Sequence, residues 1–197
     1  MNNPNINAVS NSKSEKDNIQ LGWNNLENKE IYLAGGCFWG AEHFFKQIEG
    51  VVDTEVGYAN GITENPTYKE VCTDKTQFAE TVHVIYNPQI VGLRFLLNMY
   101  FKAIDPISVN RQGHDVGSQY RTGIYYTDNN DVKIIDEVYS EQQALYEQKL
   151  AVEKMSLKNF YRAEEYHQDY LDNNPEGYCH LPFELFEFAK KAKPKTD

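Results

Sequence analysis

Cys37 stands in the stretch AGGCFWGAEHFF (34–45), directly after two glycines and directly before two large aromatics, where a helix-like pattern begins. A thiol at a strand–glycine–helix junction faces unpaired backbone N–H groups and the positive end of the helix dipole. Both favour the thiolate, so a pKa below the ordinary thiol value of about 8.5 is expected there. Gly35 and Gly36 let backbone and substrate approach closely. The same stretch equally suits a small buried core thiol, and by itself it does not choose between core and nucleophile.

Glu80 is the second informative residue. In the strand-like AETVHVIY (79–86), period-2 alternation puts it on the same side as Val82, Val84 and Tyr86, opposite Thr81 and His83. A carboxylate ending a buried apolar row is desolvated, which raises its pKa and keeps it protonated near neutrality, able to donate a proton. A strand end frayed into water is the alternative. GHDVGSQY (113–120) adds Asp115, Gln119 and Tyr120 in a glycine-bearing loop. His114 beside Asp115 suggests a Cys–His–Asp hydrolase, but adjacent residues point apart, so His114 reads as a surface residue. Tyr68, in NPTY, is either a packing residue or a phenol donor. Cys179, in NPEGYCH near the C-terminus, is either a surface thiol or a resolving cysteine, and Cys72, in EVC, reads as structural within a short strand.

The elements that must position these groups follow from periodicity. IYLAGG (31–36) is an apolar strand ended by glycines, and Phe38, Ala41, Phe44, Phe45 and Ile48 then recur at helical spacing up to Gly50. VVDTEVGYA (51–59) and AETVHVIYNP (79–88) read as strands. Leu93, Leu96, Leu97, Tyr100, Phe101 and Ile104 form the clearest helical stripe. RTGIYY (121–126) is a further strand, and Val132 to Leu145 a helix with Asp128 as its cap. A shorter helix is expected around 158–171. The order β-α-β-β-α-β predicts an α+β fold, a ferredoxin-like two-layer sandwich with long loops at 60–75 and 105–120 and extra C-terminal helices. Residues 1–29, with nine Asn and no periodicity, read as a flexible arm in which Leu21 and Trp23 touch the domain. Residues 30–197 read as one catalytic domain whose segment from about 172 is mobile.

Composition narrows the function class. Formal charge is -10, which opposes binding to phosphate backbones, so no nucleic-acid partner is expected. Neither a membrane-spanning run nor a signal-peptide core is visible, which predicts a cytoplasmic protein whose three cysteines stay reduced. None of them forms a CxxC pair, so a structural zinc site is disfavoured.

Taken together, GCFWG, NPTY, AETVHVIYNP, HDVGSQYR and NPEGYCH make residues 31 to 181 resemble the A-type methionine sulfoxide reductases, the peptide-methionine (S)-S-oxide reductases. The motifs stand in family order with matching separations. The resemblance implies Cys37 as nucleophile, Phe38 and Trp39 as an apolar clamp for the substrate methyl, and Glu80 as the acid at the sulfoxide oxygen. It also implies Tyr68 and Tyr120 as phenol donors, Asp115 as a substrate-placing aspartate and Cys179 as the resolving thiol. The chain continues HLPFELFEF without a further cysteine, which implies a two-cysteine cycle. In that cycle Cys37 attacks the sulfur of the S epimer, free or in proteins, and passes through a sulfenic acid to a Cys37–Cys179 disulfide reduced by thioredoxin. No metal or organic cofactor is called for, and a monomer engaged in repair of oxidised proteins is expected. A thiol peroxidase or redox sensor, and a non-catalytic binder of oxidised peptides, are the competing classes. The aromatic pair and the buried acid argue against a peroxidase, because peroxide reduction needs no methyl clamp.

Overall fold

The computed structural model describes residues 27–197. The arm expected at 1–29, with Leu21 and Trp23, lies almost wholly outside the described residues. The chain runs through β1 (Lys29–Gly35), α1 (Phe38–Lys46), β2 (Val51–Ala59), α2 (Tyr68–Val71), β3 (Ala79–Tyr86) and α3 (Leu93–Ala103). It continues through β4 (Arg111–Gln112), β5 (Asp115–Val116), β6 (Thr122–Tyr126), α4 (Val132–Gln143), β7 (Glu153–Ser156), β8 (Phe160–Arg162), α5 (Tyr170–Asn173) and α6 (Phe183–Lys191). The molecule is a mixed α+β fold around a mostly antiparallel sheet of order β7-β6-β1-β3-β2-β8, in which β6 and β7 alone pair in parallel.

Strand alternation sorts the sheet into two faces. Ile31 and Leu33 of β1, with Val82, Val84 and Tyr86 of β3, belong to the main core, as do Phe38, Phe44 and Phe45 of α1 and Leu96, Leu97 and Tyr100 of α3. Tyr32, Ala34, Ala59, Ala79 and Tyr125 form a smaller cluster on the other side, covered by Met155, Leu157 and Phe160. The N-cap of α4 is Asp131, without a side-chain bond, whereas Asp128, the expected cap, closes the tight turn before it, its carboxylate accepting from Asn130 N–H at 2.9 Å.

Two further sequence expectations are corrected. The helix expected around 158–171 is instead β8, a tight turn at Glu165–His167 and the start of α5. β8 pairs with the edge of β2, Tyr58 facing Tyr161. Asn60 and Asn159 fix that junction by accepting from Lys158 N–H and Gly61 N–H, at 2.8 and 3.1 Å. A pairing partner a hundred residues away overrides local helical preference. Cys72, expected in a strand, is exposed just after α2, whose first turn is closed by a reciprocal capping box between Thr67 and Glu70.

Candidate active site

The site grows from the turn between β1 and α1. Gly36 adopts φ +82°, a left-handed conformation that lets the strand reverse into the helix at once. Cys37 therefore occupies the N-cap position and is 6% exposed. The first N–H of the helix, Phe38, donates to Glu80 Oε2 at 3.1 Å, while the N–H groups of Trp39 and Gly40 act on the Cys37 sulfur. A thiol and a carboxyl group thus share one helix N-terminus.

Glu80 lies on the main-core face as its register predicts and is 1% exposed. Burial raises its pKa to about 8 against the opposing pull of the Phe38 N–H, with Asp115 adding to the rise. Its other oxygen, Oε1, has no hydrogen-bond partner among the described residues. At neutral pH the group is mainly a carboxylic acid with one oxygen anchored and the other free.

Cys37 departs from the expected low pKa. Burial pushes the thiol well above its usual range, and the negative charge of Glu80 pushes further, outweighing the Trp39 and Gly40 N–H groups that favour the thiolate. The helix terminus helps the thiolate, but desolvation is the larger effect. Protonation of Glu80 removes the repulsion.

Tyr68 and Tyr120 meet beside this pair. The two phenols act on each other, and burial followed by the Glu80 charge raises both pKa values beyond any neutral range, so they remain protonated donors. Tyr68 is placed by Glu164, which accepts from its backbone N–H at 2.8 Å and from the Tyr58 hydroxyl at 2.7 Å. Of the two aromatics after the thiol, Phe38 is fully buried and Trp39 presents the accessible ring. The Trp39 indole is stacked on Tyr170 at 3.7 Å, and its N–H donates to His167 Nδ1 at 3.0 Å.

The segment Tyr178–Leu181 returns to the same place. The Tyr178 hydroxyl donates to Asp115 Oδ1 at 2.8 Å. Cys179 lies over α1, so close that a Cβ on Gly40 would sit 2.8 Å from its sulfur. Cys37 and Cys179 are both free thiols. Every site residue expected from the sequence is therefore gathered around the start of α1, whereas His114 is exposed on its loop.

His167, Glu164, Tyr170, Tyr178 and His180 were not expected. His167 is 1% exposed and in contact with the rings of Phe38, Trp39 and Tyr68, and burial lowers its pKa, keeping it neutral. The run EEYHQDY (164–170) did carry a signal, since it mixes acids, aromatics and an imidazole without an apolar helical stripe.

Comparison with known proteins agrees with this geometry. Residues 29–196 match the family described as peptide methionine sulfoxide reductase. The peptide methionine sulfoxide reductase MsrA of Clostridium acetobutylicum is 54% identical over 159 residues, covering 81% of this chain and 98% of that protein. The reduced form of Mxr1 from Saccharomyces cerevisiae superposes with a TM-score of 0.76 at 41% identity, covering 81% of this chain and 93% of that one. Mxr1 in complex with Trx2 gives a TM-score of 0.53 at 30% identity, covering 75% and 87% of the two chains. The family match runs over every element that carries the site, the relatives cover most of the chain, and the chain belongs to the A-type peptide methionine sulfoxide reductases.

Proposed function

We propose that this reductase acts on the S epimer of methionine sulfoxide, free or in proteins, with Cys37 as nucleophile and Glu80 as general acid. The observation that carries the reading is the shared helix terminus. A thiol and a largely neutral carboxylic acid are fixed side by side, with two permanently protonated phenols next to them. A sulfoxide oxygen is a poor leaving group until it is protonated or strongly hydrogen-bonded. Glu80 gives its proton to that oxygen while Tyr68 and Tyr120 donate to it. The Cys37 sulfur attacks the sulfoxide sulfur as its own proton passes to the Glu80 carboxylate just formed, and the Trp39 and Gly40 N–H groups stabilise the charge that develops. The hydroxyl then passes from the substrate sulfur to the Cys37 sulfur as the bond between the two sulfurs breaks, so methionine leaves, reduced by two electrons, and Cys37 is left as a sulfenic acid. Trp39, with Phe38 beneath it, clamps the methyl group, and Asp115 places the substrate.

Cys179 then attacks the sulfenic sulfur, water leaves, and a Cys37–Cys179 disulfide forms. The position of Cys179 above Gly40, within one turn of the nucleophile, supports this role. A dithiol of the thioredoxin class reduces the disulfide by exchange, as the Mxr1–Trx2 complex suggests by relationship. A largely apolar cavity of about 510 Å³ borders Cys179 between Leu171, Leu181 and Phe186 and gives a reductant access to that sulfur. Residues 30–197 act as one domain in which the segment from about 172 moves during the cycle. The order β6-β1-β3-β2 with α1 and α3 as crossovers supports a ferredoxin-like core.

The test is epimer-resolved reduction of methionine sulfoxide by the purified protein with dithiothreitol. Consumption of the S epimer alone, lost in Cys37→Ser, is expected. Turnover retained by Cys37→Ser, or equal consumption of the R epimer, would sink the assignment.

A further inference from the structure

We propose that Cys37, Asp115 and His180 together bind one divalent cation of the zinc class, and that the captured ion holds the nucleophile out of reaction. The Cys37 sulfur, an Asp115 carboxylate oxygen and an imidazole nitrogen of His180 all lie within 4.8 Å of one another. They come from three separate segments: the start of α1, the β4–β5 hairpin and the chain after α5. No short ligand spacing announces them in the sequence.

Each member has unused coordinating capacity. Asp115 Oδ2 and both His180 ring nitrogens are buried atoms without a hydrogen-bond partner among the described residues, and Cys37 is a free thiol. Unsatisfied buried polar atoms are costly, and one cation takes up the Cys37 sulfur, Asp115 Oδ2 and one His180 nitrogen at once, leaving the other ring nitrogen toward the Gly35 backbone. The remaining Asp115 oxygen accepts from the Tyr178 hydroxyl at 2.8 Å, an outer partner of the kind that orients metal ligands. The imidazole is seated against the helix start, because a Cβ on Gly36 would come within 3.1 Å of His180 Nε2 and one on Gly40 within 3.3 Å of Nδ1.

The donor set selects the ion. Thiolate with imidazole disfavours magnesium and calcium, which take oxygen ligands. One sulfur, one nitrogen and one carboxylate oxygen suit tetrahedral zinc, with bonds of about 2.0–2.3 Å and a fourth position left for water. Binding releases the thiol proton to solvent, and the thiolate and carboxylate together neutralise the ion's charge. A disulfide at Cys37 removes one ligand, so only the reduced protein binds. The inhibitory consequence rests on Cys37 being the nucleophile; the ligand set does not.

The experiment is a Co²⁺ titration of the reduced full-length protein, freed of small-molecule thiols and kept anaerobic. A thiolate-to-cobalt charge-transfer band with the strong visible bands of four-coordinate cobalt is expected, displaced by one equivalent of Zn²⁺. Cys37→Ser should lose the charge-transfer band. Asp115→Asn and His180→Ala should each weaken binding about 100-fold or more, since even outer-shell changes cost about 10–100-fold. Cys72→Ser and Cys179→Ser should leave the spectrum unchanged. No band in the wild type, or a band that survives both Asp115→Asn and His180→Ala, would overturn the site. Separately, Zn²⁺ should inhibit sulfoxide reduction with a midpoint that follows these affinities, and full activity at saturating Zn²⁺ would overturn the inhibitory role. A metal-free protein that reduces no sulfoxide would defeat the reductase reading, while the cobalt spectrum would still judge the ligand set.

Discussion

Glu80, the proposed acid, is the residue whose buried setting gives it protonation behaviour unlike that of an ordinary carboxylate. Its pKa rises from 4.5 to about 8 on folding, chiefly through burial. The group takes up a proton as the chain folds, so its contribution to stability is full below pH 4.5 and is lost as the pH climbs to about 8. Glutamine keeps the acceptor for the Phe38 N–H and cannot ionise. Glu80→Gln should therefore slow sulfoxide reduction by about 10²–10⁴-fold, the usual worth of a positioned acid. Its melting temperature should meanwhile be less pH-sensitive than the wild type's between pH 5 and about 8. Wild-type activity, by the same argument, should fall as the pH passes about 8. A variant with near-normal turnover, or with an unchanged pH dependence of melting, would contradict this account.

At the scale of the element, α1 begins in a structure whose side chains are kept small so that other segments can reach the thiol. Gly40 costs the helix about 1 kcal/mol relative to alanine, yet a Cβ there would press on Cys179 and His180. Gly40→Ala should raise the melting temperature slightly or leave it unchanged. It should also keep dithiothreitol-supported turnover within about threefold and slow thioredoxin-driven turnover about tenfold or more, a ratio of roughly 1.4 kcal/mol. Equal loss with both reductants would place the effect on the chemistry rather than on the returning segment. Much of this region was legible in the sequence. The GGC junction and the apolar period after it located the helix start, and the two-residue period of AETVHVIY put Glu80 on the core face. The thiol's raised pKa was not legible, because it depends on how deeply Cys37 is buried and on a carboxyl group forty-three residues away. His167 and Glu164 were missed for a related reason: β8 is a strand only because the edge of β2 is there to receive it.

At the scale of the whole molecule, a single glutamine continues that sheet edge where β8 stops. The buried Gln168 side chain accepts from Val56 N–H at 2.9 Å and donates to Val56 C=O at 2.9 Å and Ala163 C=O at 3.0 Å. It holds the segment carrying Glu164 and His167 against β2 as another strand residue would. Gln168→Ala strands the Val56 N–H and the Ala163 C=O at about 1–3 kcal/mol each, while Val56 C=O keeps its bond from Ala163 N–H at 2.9 Å, so a loss of at least about 2 kcal/mol is expected. For a domain of this size that lowers the melting temperature by about 4–8 °C. The KM for sulfoxide should rise as well, because Trp39 loses its fixed partner, and thermal denaturation beside steady-state kinetics checks both. A melting temperature within a degree of the wild type would show that the edge is held by β8 alone.

That pairing of early and late segments also bears on how the protein is made. Cys37, Tyr68, Glu80 and Tyr120 leave the ribosome well before Glu164, His167, Tyr178 and Cys179, the residues that cover and complete their surroundings. During synthesis the thiol is present before its enclosure exists. Stalled nascent chains ending before β8 should therefore have Cys37 open to alkylating reagents, and chains released in full should shield it. The proposed catalytic centre is thus among the last parts of the molecule to form, although its proposed nucleophile is among the first to be made.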